Sequence, residues 1–135
     1  MENFKNSTFL GGTCNESTWR EELIAQLDER VEFFNPVVPD WTPECQARED
    51  KVREESRYVL FVITSQMTGV FSIAEAVDCS NKRPDSTLFA YLPDGFDKGQ
   101  VKSLATTARM IARNGAKVFD SLKDIAVFLN SAYAE

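Results

Sequence analysis

The chain of 135 residues contains no histidine. Its absence excludes serine or cysteine nucleophiles that depend on an imidazole base, and nearly every catalytic zinc arrangement. Acid–base chemistry must then come from Asp, Glu, Tyr, Lys or Cys. Cysteine is scarce and odd in number, with three residues, which favours a reducing compartment. We do not expect Cys14 to be a catalytic thiol, because no imidazole is present to activate it.

Long apolar runs and an excess of basic residues are also missing. No stretch approaches the ~20 residues needed to cross a bilayer. Residues 1–6 lack the basic start and apolar middle of a signal peptide. Lys and Arg are scattered among acids in a chain of net charge −6, which argues against a nucleic-acid partner. We therefore expect a cytoplasmic protein with a small-molecule ligand, no membrane contact and no metal.

Five apolar segments alternate with helical patterns along the chain. Strands are expected at residues 8–10, 31–34, 58–63, 87–92 and 116–119. This alternation predicts an α/β fold with a five-stranded parallel sheet between two layers of helices. Right-handed crossovers leave few strand orders, and we expect the flavodoxin-like one. The length fits a single domain over residues 1–135.

Local signals place the ends of several elements. Gly11 and Gly12 predict a turn after the first strand. Thr42 and Pro43 predict the start of a helix over residues 44–56. That helix is very polar, and we interpret it as a solvated helix with charge pairs along it. A capping box of Asp97 and Gln100 is expected to start the next-to-last helix.

The segment after the third strand, residues 64–75, leads into a helix that carries Glu75. Ligands of open α/β sheets bind outside the carboxyl ends of the strands, so Glu75 lies near the expected ligand edge. A second interpretation is purely structural. Ser72 and Glu75 have capping-box spacing, and Glu75 would then fold back onto the helix backbone.

Two other loops reach the same edge. The glycine-rich loop at residues 11–17 precedes a helix N-terminus, which suits polar or anionic groups and leaves a flavin phosphate as an alternative. A phosphoacceptor receiver domain is excluded, since glycines and Thr64 stand where its acids are needed. The loop after the second strand offers Asn35, Asp40 and Trp41. Trp41 is expected either to stack on a base or to close the core.

Gly11-Gly12 after the first strand, Asn35-Pro36 after the second, and Gly69 followed by Glu75 resemble the nucleoside 2-deoxyribosyltransferase-like family. The resemblance extends over residues 8–119. It implies that Glu75 is a nucleophile that attacks the anomeric carbon of a nucleoside or nucleotide, with no cofactor. The substrate-binding residues that it implies are Gly11, Gly12, Thr13, Asn35, Asp40, Trp41, Thr64, Gly69 and Ser72.

The chain departs from the family in the loop before Glu75. Characterised members have aspartates there, one of which helps to protonate the departing base, whereas this loop has Thr64, Ser65, Gln66 and Thr68. Asp40 and Asp78 are the candidate replacements. A binding module that has kept the fold without turnover is therefore the alternative to an enzyme.

The family commonly builds its sites at subunit contacts, which suggests a homo-oligomer. Met67, Val70 and Phe71 are expected to form either an apolar contact patch or part of the core. Tyr133 is a candidate to complete the site of a neighbouring subunit.

Overall fold

A computed structural model describes residues 4–14, 17–37 and 42–134. The strands and helices follow one another in the expected alternation. In chain order they are β1 (Ser7–Gly12), α1 (Trp19–Ile24), β2 (Glu32–Phe34), α2 (Pro43–Glu55), β3 (Tyr58–Ile63), α3 (Phe71–Lys82), β4 (Thr87–Tyr91), α4 (Lys98–Arg113), β5 (Lys117–Phe119) and α5 (Leu122–Tyr133).

The five strands form one sheet in the order β2-β1-β3-β4-β5. All four strand pairs are parallel, with Phe9 opposite Val59 and Val62 opposite Ala90 in the central ones. The predicted α/β fold and flavodoxin-like order are confirmed. Because the chain moves outward to β2 on one side and to β4 and β5 on the other, the strand order reverses between β1 and β3. Ligands of such sheets bind at this switch point.

Helices cover both faces of the sheet, and the central strand β3 serves both cores. Val59, Phe61 and Ile63 face a core that also contains Val52 of α2 and Ile111 of α4. The alternate residues of β3 face a second core, built with α1 and α5. The continuous apolar run of β3 follows from this burial on two sides. No helix in the described ranges is long and apolar enough to cross a membrane.

The predicted turn at Gly11 and Gly12 is wrong, because both glycines are paired residues of β1. They lie opposite Phe61 and Val62 of β3. Gly12 has a φ of 109°, and a Cβ built on it would stand 2.2 Å from the carbonyl oxygen of Val62. Glycine is therefore required by the close approach of two strands and by the backbone conformation rather than by a turn.

Two predicted helix starts are confirmed. The Thr42 side chain accepts a hydrogen bond from the Cys45 amide, ahead of Pro43 at the first helical position. Asp97 and Gln100 form a complete capping box at the start of α4. These caps satisfy amides that have no partner within the helix.

Candidate functional site

Two adjoining cavities open at the carboxyl ends of β1 and β3. The charged cavity has a volume of about 130 Å³, and the loop cavity beside it about 160 Å³. They share a wall made by Gly12, Cys14, Phe71 and Ser72. The described residues that line the charged cavity are Phe9, Gly11, Gly12, Cys14, Arg20, Pro36, Gln46, Glu49, Arg53, Phe71, Ser72 and Glu75.

Glu75 lines the charged cavity, and its side chain is only 17% exposed. The capping interpretation of Glu75 is wrong. Helix α3 begins at Phe71, with Val70 at the N-cap position and no side-chain cap, so Ser72 already lies in the first turn. The amides of Ile73 and Ala74 donate to the Val70 carbonyl. The Glu75 carboxylate is thus free of its own helix backbone and points toward α2.

Arg53 of α2 holds the Glu75 carboxylate. Its Nη1 lies 2.6 Å from Oε2 of Glu75, and its Nη2 lies 2.8 Å from Oδ1 of Asp50. Gln46 donates to the same Asp50 oxygen at 3.0 Å. Among the described residues, no group donates a hydrogen bond to Oε1 of Glu75. One carboxylate oxygen is therefore fixed by Arg53, while the other has no donor within the described part of the chain.

The interpretation of α2 as a merely solvated helix is wrong on one face. Gln46, Glu49 and Arg53 recur at helical spacing and all line the charged cavity. Val52 is fully buried and anchors the helix to the core. The sequence signal was this spacing of polar residues, but a solvated face shows the same pattern.

The two carboxylates in the charged cavity are both disfavoured as anions. Burial raises the pKa of Glu75, and the charge of Arg53 opposes that rise. Burial also raises the pKa of Glu49, and the negative charge of Glu75 raises it further. Such shifts follow from poor solvation and from like charges sharing one space.

Arg20 braces the end of β1 from the other side of the cavity. It is 2% exposed. Its Nε and Nη1 donate to the carbonyl oxygens of Leu10 and Thr13 at 2.9 and 2.7 Å, and its Nη2 donates to that of Gly12 at 3.4 Å. The guanidinium also stacks over the Trp19 ring, 4.4 Å from its centroid. Burial lowers the pKa of Arg20.

Several residues that the resemblance implies for the site do lie at the two cavities. Gly11 borders the charged cavity, Thr13 and Gly69 border the loop cavity, and Gly12 and Ser72 border both. Thr13 also accepts a hydrogen bond from the Thr64 amide at 2.9 Å, which ties the ends of β1 and β3 together. Its side-chain oxygen is therefore already committed to the backbone.

Other residues implied for the site lie elsewhere. Thr64 borders a separate cavity of about 480 Å³, with Trp19 and Asp94 among its other walls. Asn35 borders neither of the two adjoining cavities, and its Oδ1 accepts from the Val37 amide in a local turn. Asp40 and Trp41 lie outside the described residues.

Three further expectations concern Asp78, Tyr133 and the apolar patch. Asp78 forms an ion pair with Lys82 on the exposed side of α3, away from both cavities. Tyr133 is buried in its own chain, where its hydroxyl donates to the carbonyl of Asn6, so its expected reach into a neighbouring site is wrong. Val70 and Phe71 are 66% and 70% exposed, which excludes them from the core.

Among residues 4–14, 17–37 and 42–134, no group of three or more His, Cys, Asp or Glu is arranged to hold a metal ion. The polar side chains of the charged cavity are the carboxylates of Glu49 and Glu75, the guanidiniums of Arg20 and Arg53, the amide of Gln46, the hydroxyl of Ser72 and the thiol of Cys14. The main chemical feature of the site is therefore the Glu75 carboxylate, which Arg53 binds at the wall of the charged cavity.

These features define a flavodoxin-like α/β domain with a carboxylate-lined cavity at its switch point. The sequence model of the family described as "Nucleoside 2-deoxyribosyltransferase like" matches residues 5–90, and the chain belongs to this family. The match runs from before β1 into β4 and includes both Glu75 and Arg53. No match to a curated protein was found.

Proposed function

We propose that the protein cleaves or transfers the N-glycosidic bond of a (deoxy)nucleoside or nucleotide, with Glu75 as the nucleophile. The observation that carries the proposal is the Glu75 side chain, which lines the charged cavity at the switch point while Arg53 holds its Oε2. Membership of the family supports the choice of substrate class.

The proposed reaction has two steps. Oε1 of Glu75 attacks C1′ of the sugar, the C1′–N bond breaks, and its electron pair leaves with the base. Water or a second base then attacks C1′ and releases Glu75 as a carboxylate. A carboxylate suits this chemistry because it stabilises an oxocarbenium-like transition state and then bonds to it, as in retaining glycoside hydrolysis.

Arg53 has a positioning role in this scheme. It opposes the rise in the pKa of Glu75 that burial causes, and so limits the loss of the ionised nucleophile. It also fixes one carboxylate oxygen at 2.6 Å, which orients the other. The wall shared by the two cavities, at Gly12 and Ser72, is where the sugar would lie.

The test is release of free base from a panel of deoxynucleosides, ribonucleosides and their 5′-monophosphates, followed by chromatography. We expect wild type to release at least one base and Glu75→Gln to lower the rate by about 10³-fold or more. Glu54→Gln is the matched control, since Glu54 is an exposed acid of α2 and borders neither cavity. Absence of base release from the whole panel, or full activity of Glu75→Gln, would contradict the proposal.

A non-catalytic binding module is the second candidate. The ion pair with Arg53 favours it, because a paired carboxylate is a weaker nucleophile. In that case a nucleoside would raise the melting temperature, following RT ln(1 + [L]/Kd), without being consumed. Consumption of the nucleoside in the same sample would exclude this candidate.

A further inference from the structure

Helix α2 places a second carboxylate in the cavity that Glu75 lines. Glu49 borders the charged cavity one helical turn before Arg53, the residue that binds Glu75. Residues four apart on a helix share one face. Glu49 and Glu75 therefore come from two different helices, α2 and α3, and meet at one cavity of about 130 Å³.

The bonding of Glu49 differs from that of the other acids nearby. The carboxylate of Glu75 is bound by Arg53, and that of Asp50 by both Arg53 and Gln46. No side chain in the described ranges hydrogen-bonds or ion-pairs with Glu49. Its carboxyl group is thus available to a molecule in the cavity.

The charges around Glu49 favour its protonated form. Glu75 and Asp50 face it with negative charge, and Arg53 and Arg20 face it with positive charge. Burial and the charge of Glu75 are the two largest effects, and both raise the pKa of Glu49. Arg53 meanwhile favours the ionised form of Glu75. Two carboxyls in one cavity, of which one is bound by a cation and the other is not, form the arrangement expected of a nucleophile and an acid.

We propose that Glu49 is the catalytic acid that protonates the departing base, an assignment that rests on the proposed function of Glu75. As Oε1 of Glu75 forms its bond to C1′, the C1′–N bond breaks and its electron pair goes to the base. The proton of the Glu49 carboxyl passes to a ring nitrogen or carbonyl oxygen of that base. Glu49, now a carboxylate, accepts the proton of the water or second base that attacks C1′ in the next step.

The loop before Glu75 carries no acid that could protonate the leaving base, and Glu49 would supply that proton instead. The loop side chains at Thr64, Ser65 and Thr68 are hydroxyls, which do not release a proton near neutral pH. Asp78 is paired with Lys82 on the exposed side of α3. Within the described part of the chain, Glu49 is the acid at the cavity without a bound cation.

The test compares pairs of substrates that differ in their need for protonation. The first pair is 2′-deoxyguanosine and its N7-methyl derivative, whose cationic base leaves without a proton. The second is 2′-deoxyuridine and 5-fluoro-2′-deoxyuridine, whose base is the better leaving group. Wild type, Glu49→Gln, Glu75→Gln and the control Glu54→Gln are assayed for kcat/KM on each substrate.

We expect Glu49→Gln to lower kcat/KM by about 10²- to 10⁴-fold on 2′-deoxyguanosine and by less than about 3-fold on the N7-methyl derivative. In the pyrimidine pair the loss is expected to be smaller for the 5-fluoro compound. Wild type gives a second measurement that needs no variant. Its kcat/KM for 2′-deoxyguanosine should fall as pH rises through the pKa of Glu49, and that fall should be absent with the N7-methyl substrate.

Equal losses of Glu49→Gln on both members of a pair, or no loss on either, would overturn the assignment of Glu49 and leave the function of Glu75 standing. If Asp40→Asn, and not Glu49→Gln, shows a loss of kcat/KM that depends on the leaving group, the assignment of Glu49 is also overturned and the function of Glu75 stands. Full activity of Glu75→Gln would overturn the proposed function itself. Wild type that is inert on all four substrates would overturn both.

Discussion

Two arginines reach the charged cavity from opposite sides and are used in different ways. Arg20 of α1 is buried, and its three nitrogens donate to backbone carbonyl oxygens at the end of β1. Arg53 of α2 is partly exposed, and its nitrogens bind the carboxylates of Glu75 and Asp50. The cation on the α1 side therefore holds the backbone at the end of β1, whereas the cation on the α2 side holds side chains, of which Glu75 lines the charged cavity.

The two guanidiniums differ in the kind of group that they bind and in whether that group is open to solvent. The carbonyls that Arg20 binds belong to the last residues of β1 and to Thr13 just after it, and those of Leu10 and Gly12 would lose the Arg20 bond in the interior if Arg20 moved. Of the carboxylates that Arg53 binds, that of Glu75 belongs to a residue lining the charged cavity, and that of Asp50 is half-exposed to solvent. A planar guanidinium serves both purposes because it offers several donors in a fixed fork.

The largest effect on stability is expected from Arg20→Met. It would remove the Arg20 bonds to the carbonyl oxygens of Leu10 and Thr13 in a buried region, although Thr13 keeps its bond from Trp19 Nε1. We expect a cost of about 4 kcal/mol of unfolding free energy. Denaturant unfolding of wild type and variant measures this loss. Arg20→Lys should recover little of it, since an ammonium lacks the fork. If Arg20→Met lost less unfolding free energy than Arg53→Met, the contrast between a structural Arg20 and a cavity-lining Arg53 would be contradicted.

A second test of the scaffold is Gly12→Ala, with Gly69→Ala as its control. Gly12 has a positive φ and no room for a Cβ beside Val62, whereas nothing lies within 4 Å of a Cβ at Gly69. We expect Gly12→Ala to lower the unfolding free energy by about 3 kcal/mol and Gly69→Ala by less than about 0.5 kcal/mol. Similar losses in the two variants would contradict this account of β1.

Arg53→Met is expected to lower the unfolding free energy by about 2 kcal/mol, less than Arg20→Met, since Arg53 is more exposed than Arg20 and Glu75 can take up a proton once its cation is gone. Its main effect should be on activity. Without Arg53, burial raises the pKa of Glu75 unopposed, and the acid limb of the pH–rate profile should move to higher pH. An unchanged profile would show that Arg53 does not control the ionisation of Glu75.

The smallest effect is a change in pH dependence for Glu49→Gln. The pKa of Glu49 is raised in the folded protein, so the folded state binds more protons than the unfolded one between the two pKa values. The unfolding free energy of wild type then falls as pH rises through that window. The variant lacks this fall because glutamine does not titrate. The melting temperature of Glu49→Gln relative to wild type should therefore increase as pH rises from about 4, the ordinary pKa of a glutamate, through the raised pKa of the folded protein.

Asp28→Asn provides a control of opposite sign for that experiment. Bonds from Arg30 lower the pKa of Asp28 to about 2, so Asp28 stabilises the fold above its unfolded pKa and ceases to do so as pH falls through the lower value. Asp28→Asn should therefore lose stability relative to wild type as pH rises from about 2 to about 4. If both variants changed in the same direction with pH, the local origin of these effects would be disproved.

Helices α4 and α2 differ in how much of their structure can be predicted from the sequence. Helix α4 has an apolar stripe and a capping box, and both its place and its start at Asp97 are predictable from local pattern. Helix α2 has a start that Thr42 and Pro43 predict, but the face that lines the charged cavity consists of polar residues. A sequence pattern cannot separate a polar face that lines a cavity from one that meets solvent, because both consist of the same residues.

The end of β1 is a second place where the local sequence pattern does not determine the structure. Two adjacent glycines are typical of a turn, and only the distance to Val62 of β3 reveals that they extend the strand. Likewise the spacing of Ser72 and Glu75 fits a cap, but the helix begins at Phe71 and that geometry does not form. Contacts between elements distant in sequence decide both cases.

The central claim is tested most directly by trapping the covalent intermediate. A 2′-fluoro-arabinosyl nucleoside destabilises the oxocarbenium-like transition state, which slows release of the sugar from the enzyme. Intact-protein and peptide mass spectrometry of wild type should find a fluorosugar ester on Glu75, and Glu75→Gln should remain unmodified. An adduct on another residue, or release of base without any adduct at Glu75, would contradict the account.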